Sequence, residues 1–152
     1  MSTKWYGKAA HAVASKQIDL INDDIKVMLV TSAYTPNQDT HAVLGDVTGE
    51  ASGEGYTAGG VSLANKTLTQ DAGKNSWKWD ADDVMWPLAT VTFRYAVLYD
   101  DSDPAKALIG YADFGSDQTA TSQDLTIKWE HREQDPISGG TTTTTGILEL
   151  GY

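Results

Sequence analysis

Apolar and polar residues alternate one for one in stretch after stretch of this chain, and turn-forming residues separate the stretches. Phe93, Tyr95, Val97 and Tyr99 interleave with Thr92, Arg94 and Ala96. Leu125, Ile127 and Trp129 interleave with Asp124, Thr126, Lys128 and Glu130. A period of two puts alternate side chains on opposite faces of an extended strand, so each stretch reads as a half-buried strand. Trp77 and Trp79, and Val61 and Leu63, read the same way, and the runs 107–112 and 147–150 read as further strands. The run 25–31 is apolar except for Lys26 and Thr31 and β-branched in part, as a central strand buried on both faces is. Asp100-Asp101-Ser102-Asp103-Pro104 and Asp71-Ala72-Gly73-Lys74-Asn75 are turns, because Asp and Asn side chains bond their own backbone and Gly and Pro set the required dihedrals.

The start of the chain departs from this pattern. Trp5, Ala9, Ala12 and Val13 recur at helical spacing, with Ser2 or Thr3 before them as a cap, so 1–17 reads as a short amphipathic helix or docking arm. Residues 37–60 and 131–145 are polar and rich in Gly, Asp and Thr, and read as long surface loops. The length of 152 residues suits one domain, and no linker divides it. The expected fold is mainly β: a single-domain antiparallel β-sandwich or small barrel with one short N-terminal helix.

Charge and composition narrow the function. A net charge of −10 repels phosphate backbones, which argues against nucleic acid as a partner. The absence of Cys removes disulfides, zinc–thiolate sites and a thiol nucleophile. The longest apolar run is far too short to span a bilayer, and the first residues do not read as a secretory signal, so a soluble protein made in the cytoplasm is expected. The sequon Asn65-Lys66-Thr67 then reads as coincidence.

Motifs of catalysis or cofactor binding are weak. His11, His41 and His131 are scattered, and no G-x-S-x-G elbow marks a nucleophilic serine. Gly53-Glu54-Gly55-Tyr56-Thr57-Ala58 matches a dinucleotide fingerprint in letters, but a polar loop precedes it and Gly59-Gly60 and a strand follow, where a helix is required. Asp clusters at 23–24, 80–83 and 100–103 sit at turns, and none has the twelve-residue calcium-loop pattern. Glu50 and Glu54 lie together in one loop read as flexible, a poor support for a glycosidase pair. The expectation is a protein without enzymatic activity, cofactor or metal.

Ile18-Asp19-Leu20 followed by Asp24-Ile25-Lys26-Val27-Met28-Leu29-Val30-Thr31-Ser32-Ala33-Tyr34-Thr35-Pro36-Asn37 resembles a family of small virion proteins of tailed bacteriophages. Gly55-Tyr56-Thr57-Ala58-Gly59-Gly60-Val61, Asp82-Asp83-Val84, Ala96-Val97-Leu98-Tyr99, the stretch 108–115 and Gly146-Ile147-Leu148 extend the resemblance along most of the chain. It implies a structural protein of the head decoration or minor capsid type, on the capsid exterior of the virion. The implied partners are the major capsid protein and further copies of the chain, as a dimer or trimer. Candidate contact residues are Trp5, Tyr6, Tyr34, Tyr56 and Arg132. Three alternatives stand beside this reading: a minor tail or head-tail connector protein, a host-surface carbohydrate-binding module stacking sugars on Trp77, Trp79 or Trp86, and a hydrolase without a recognised motif.

Overall fold

A computed structural model describes residues 1–134, 141–145 and 147–151, and of residues 130–134, 141–145, 150 and 151 the backbone only. In chain order the elements are β1 (Ser2–Trp5), α1 (Gly7–Ala14), β2 (Ile25–Val30), a 3-10 turn at Leu44–Asp46, β3 (Val61–Ser62), β4 (Thr67–Asp71), β5 (Ser76–Asp80), β6 (Val84–Asp100), β7 (Leu108–Ile127), β8 (Glu130–Gln134), β9 (Thr141–Thr145) and β10 (Leu148–Gly151). Five strands form one antiparallel sheet in the order β1-β7-β6-β2-β3, and three form a second in the order β10-β5-β4. Among the described residues the ends β1 and β3 of the larger sheet do not pair with each other, so the fold is a sandwich and not a closed barrel.

Why the sheets stack follows from the period-two pattern. Ile25, Val27 and Leu29 of β2 and Trp86, Val91, Phe93, Ala96 and Leu98 of β6 share one buried cluster with Trp79 of β5 and Leu148 of β10. Trp79 is fully buried, and its indole N–H donates to Leu20 O at 3.0 Å, which satisfies the polar atom that so large a ring carries inside. The opposite face of the sheet carries a second cluster built on tyrosines: Tyr6, Tyr34, Tyr95, Tyr99 and Tyr111, with Met28 and Val30. The run 25–31 needs no polar face because β2 is covered on both sides.

Two expectations change here. The helix does not occupy 1–17: Ser2–Trp5 is a strand paired antiparallel with Gly110–Asp113, and the helix is confined to Gly7–Ala14. A free β7 edge offers four residues a ladder of backbone bonds, which outweighs the weak helical stripe of Trp5. Tyr6, not Ser2 or Thr3, takes the N-cap position, and no side chain caps the helix. The segment 131–145 is likewise not wholly a loop, since β8 and β9 pair across it from Glu130↔Thr145 to Gln134↔Thr141. Residues 135–140 lie outside the described residues.

Residues 37–60 do form irregular backbone, but not a loose one. Ala51 N–H donates to Leu29 O, and the Glu50 carboxylate accepts from the Tyr56 hydroxyl at 3.0 Å and from the Gly59 N–H. Their side-chain and backbone bonds tie this segment along the outer edge of β2.

Candidate interaction surface

The two longest strands, β6 and β7, run side by side from Val84↔Ile127 to Tyr99↔Leu108. Their near halves lie inside the five-stranded sheet. Their far halves, 84–92 and 118–127, extend beyond β2 and β1 as a two-stranded arm. The inner face of the arm joins the core through Val84, Trp86, Ala89, Val91, Ala120 and Ile127. The outer face is bare: Met85 is 53% exposed and Leu88 is 69% exposed.

This outer face is nearly free of charge. The 19 residues of the arm would carry about four charged side chains at the chain's average of 21%, yet only Asp124 is charged. Its carboxylate accepts the Leu88 N–H at 3.0 Å. Hydroxyls furnish the rest of the face. Thr92 and Thr119 meet across the strands at 3.0 Å, and Thr90 Oγ1 accepts the Ser122 N–H at 3.0 Å. Low charge beside exposed Met85 and Leu88 makes this face the candidate contact surface.

Leu88 adds a second feature. Its φ is +49°, in the left-handed region, and Ser122 on β7 has φ +48°. Register shifts between Trp86/Ala89 and between Ala89/Val91 show that each strand carries a bulge at this level. A leucine held in left-handed backbone costs about 1–2 kcal/mol. The bond from Leu88 N–H to Asp124 and the cross-strand hydroxyl bonds hold it there, with its side chain pointing out of the fold.

The arm ends where Arg94 pairs with Asp113. The guanidinium donates to both carboxylate oxygens, at 3.1 and 3.3 Å, and lies 5.0 Å from the centre of the Tyr95 ring. Burial alone would raise the Asp113 carboxyl, but the Arg94 bonds outweigh it and hold the group below the usual carboxylate range.

The residues expected at contacts fall elsewhere. Tyr6 and Tyr34 are buried, with their hydroxyls 2.9 Å apart, and Tyr34 O–H also meets His41 Nδ1 at 2.7 Å. Burial pushes the Tyr6 hydroxyl far above its ordinary range, with Tyr34 adding to the effect. Both therefore hold the fold and offer no surface. Trp5 is half-buried and donates to Glu149 O, and Tyr56 is half-buried with its hydroxyl accepting the Leu29 N–H at 3.1 Å. Arg132 lies on β8 opposite Thr143, and its side chain lies outside the description. Of the tryptophans considered for sugar stacking, Trp79 and Trp86 are buried and Trp77 is 39% exposed.

The chemistry-bearing residues do not converge. His11 borders a cavity of about 360 Å³ with Lys8, Gln17 and Leu108, and His41 is taken up by Tyr34. Among the described residues no three His, Asp or Glu side chains come together in a way that could hold a metal ion. Among them no helix is long and apolar enough to cross a membrane. The GEGYTAGG stretch closes an edge: a Cβ on Gly53 would overlap Thr90 O, and one on Gly60 would overlap Val27 O. Gly60 has φ +77°, so backbone sterics and packing both require glycine there.

No family model, no curated protein and no solved structure matches the chain.

Proposed function

We propose that this chain is a structural protein of a tailed-phage virion, made in the host cytoplasm and docked on the outside of the head shell. Its partner on this reading is the major capsid protein, and the outer face of the β6–β7 arm is the docking surface. The observation that carries the docking surface is Leu88: exposed, apolar and held in strained backbone on a face whose one charged residue is Asp124, in an otherwise acidic chain. Strain at an exposed position persists only where surrounding bonds enforce it, and such positions cluster at sites of function. The resemblance of the motifs from 18–37, 55–61 and 108–115 to tailed-phage virion proteins supplies the identity of the partner.

The mechanism is added interface. Seating Leu88 and Met85 in shell pockets would bury two apolar side chains, each worth about 1.5–3 kcal/mol. Thr and Ser hydroxyls both donate and accept, so they satisfy the shell's backbone groups without a matched charge. Each copy then bridges neighbouring shell subunits and resists their separation, while the acidic remainder of the molecule stays hydrated. Further copies of the chain around a symmetry axis would complete the cap. A minor tail or connector position uses the same surface at lower copy number.

Quantitative mass spectrometry of purified virions, with the major capsid protein as the internal standard, tests the reading. Dozens to hundreds of copies per particle, lost in virions carrying Leu88→Asp, is the expected result. A handful of copies would move the protein to the tail or connector, and none would end the virion reading.

A further inference from the structure

The two ends of the smaller sheet differ. β10 is met by the N-terminal strand, where the Trp5 indole N–H donates to Glu149 O at 3.2 Å. β4 pairs with β5 and, among the described residues, with no other strand. Its pairing runs unbroken from Thr67↔Asp80 to Asp71↔Ser76. The strand holds no proline, no lysine and no bulge, the devices that blunt an open edge. Thr67, Leu68, Thr69 and Gln70 are all exposed.

The register sorts the side chains onto two faces. Leu68 stands opposite the buried Trp79, and Trp77 is its diagonal neighbour on the same face. Leu68 is 41% exposed and Trp77 39%, so this face runs out past the core as a small apolar ledge. On the other face Thr67 stands opposite Asp80 and Thr69 opposite Lys78, and all four border one cavity. Lys78 reaches Asp71 at 3.0 Å. Burial, with Asp83 and Asp82 adding to it, holds the Asp80 carboxyl above its usual range, so a further positive charge in its row is favourable.

We infer that β4 pairs antiparallel with β4 of a second copy, about a two-fold axis at Leu68, and so joins two three-stranded sheets into one of six. A two-fold axis normal to the sheet keeps like faces together, so the strand must match its own inversion. About Leu68 it does. Leu68 meets Leu68, and Thr67 of each copy meets Thr69 of the other, which gives an apolar pair flanked by two hydroxyl pairs. Each threonine row across the joined sheet then has Asp80 of one copy at one end and Lys78 of the other copy at the opposite end. The neighbouring registers fail on charge. An axis at Thr69 puts Lys78 at both ends of one row and sets Asp80 in a row with Asp71. An axis at Thr67 puts Asp80 at both ends of one row. The charges select the register, while the backbone ladder and the apolar pair supply the contact. The inverted copy matches the apolar, hydroxyl and charged positions together, which names a second copy as the partner. This edge is separate from the arm, and the inference stands whatever the arm docks on.

Sedimentation velocity from micromolar to millimolar protein tests it. The 16.4 kDa chain should give a dimer of twice that mass at the upper end. Leu68→Lys sets two lysines face to face on the axis. It should weaken the dimer roughly a hundredfold and leave the melting temperature of the dilute protein unchanged. A cross-link tests the register. The chain has no cysteine, and residues facing each other across an antiparallel pair lie about 4.5–5.5 Å apart at Cα, within the reach of a disulfide. Leu68→Cys should therefore form a covalent dimer under mild oxidation, and Leu88→Cys on the arm should not. A monomer at every concentration would overturn the proposal, as would a trimer. So would a dimer that Leu68→Lys leaves intact, or one that cross-links through Leu88→Cys and not through Leu68→Cys.

Discussion

The two flanks of the larger sheet are finished in opposite ways. On the β2 side, residues 49–61 lie against the strand edge. Glu50 bridges to Val30 and Glu54 to Thr90, while Tyr56 O–H accepts the Leu29 N–H. Gly53 and Gly60 bring backbone against backbone with no room for a Cβ. On the β7 side, β1 covers only Gly110–Asp113, and beyond it β7 pairs only with β6 among the described residues. An exposed strand edge invites pairing with other chains. One flank is thus closed by backbone packing, and the other is the side on which the proposed docking surface lies.

Substitutions can break this comparison in order of size. Gly60→Ala should damage the sealed flank most, because a methyl group would collide with Val27 O on backbone already at φ +77°. A loss of about 3–5 kcal/mol in urea unfolding is expected. A loss below about 1 kcal/mol would mean that the flank is looser than described. Tyr34→Phe should cost about 1–3 kcal/mol, since it leaves the buried Tyr6 hydroxyl and His41 Nδ1 without their shared partner. Chemical denaturation of the purified variant measures it.

Changes on the arm should do the reverse. Leu88→Asp should leave unfolding within about 1 kcal/mol of wild type but weaken docking on capsid shells roughly a hundredfold. Leu88→Gly sharpens the point, because glycine accepts left-handed backbone. It should equal or exceed wild-type stability by up to about 1 kcal/mol and still lose docking, measured by co-sedimentation with shells. A variant that docks normally would remove the arm from the proposed mechanism.

The sandwich was legible where alternation is unbroken. Phe93, Tyr95, Val97 and Tyr99 belong to a strand as expected, and Trp77 and Trp79 mark β5. The arm was not legible. Pro87 and the bulges at Leu88 and Ser122 interrupt the alternation, and the stretch 115–124 is so rich in Ser, Thr, Gln and Asp that it resembles a turn region. Its strand character comes from β6 alongside, a contact no local window contains. The same holds for Ser2–Trp5, whose helical spacing gave way to the ladder with Gly110–Asp113. Of the expected contact residues, aromatic character singled out Tyr6 and Tyr34, which the structure buries. It could not distinguish an interior from a surface role, because the residues that decide this lie 28 positions apart. The one local signal for the arm was the run of uncharged residues at 84–92 in an acidic chain.

The paired bulges have a consequence for what the arm can adhere to. Each bulge sharpens the right-handed coiling of the strand that holds it, and here they sit at one level on both strands. Fibrils are built by stacking flat, identical ribbons, and a strongly coiled ribbon does not stack on its own image. A threonine-rich strand pair without lysine would otherwise be an aggregation hazard at high concentration. Its curvature makes it selective by shape: only a surface with the matching groove can follow it.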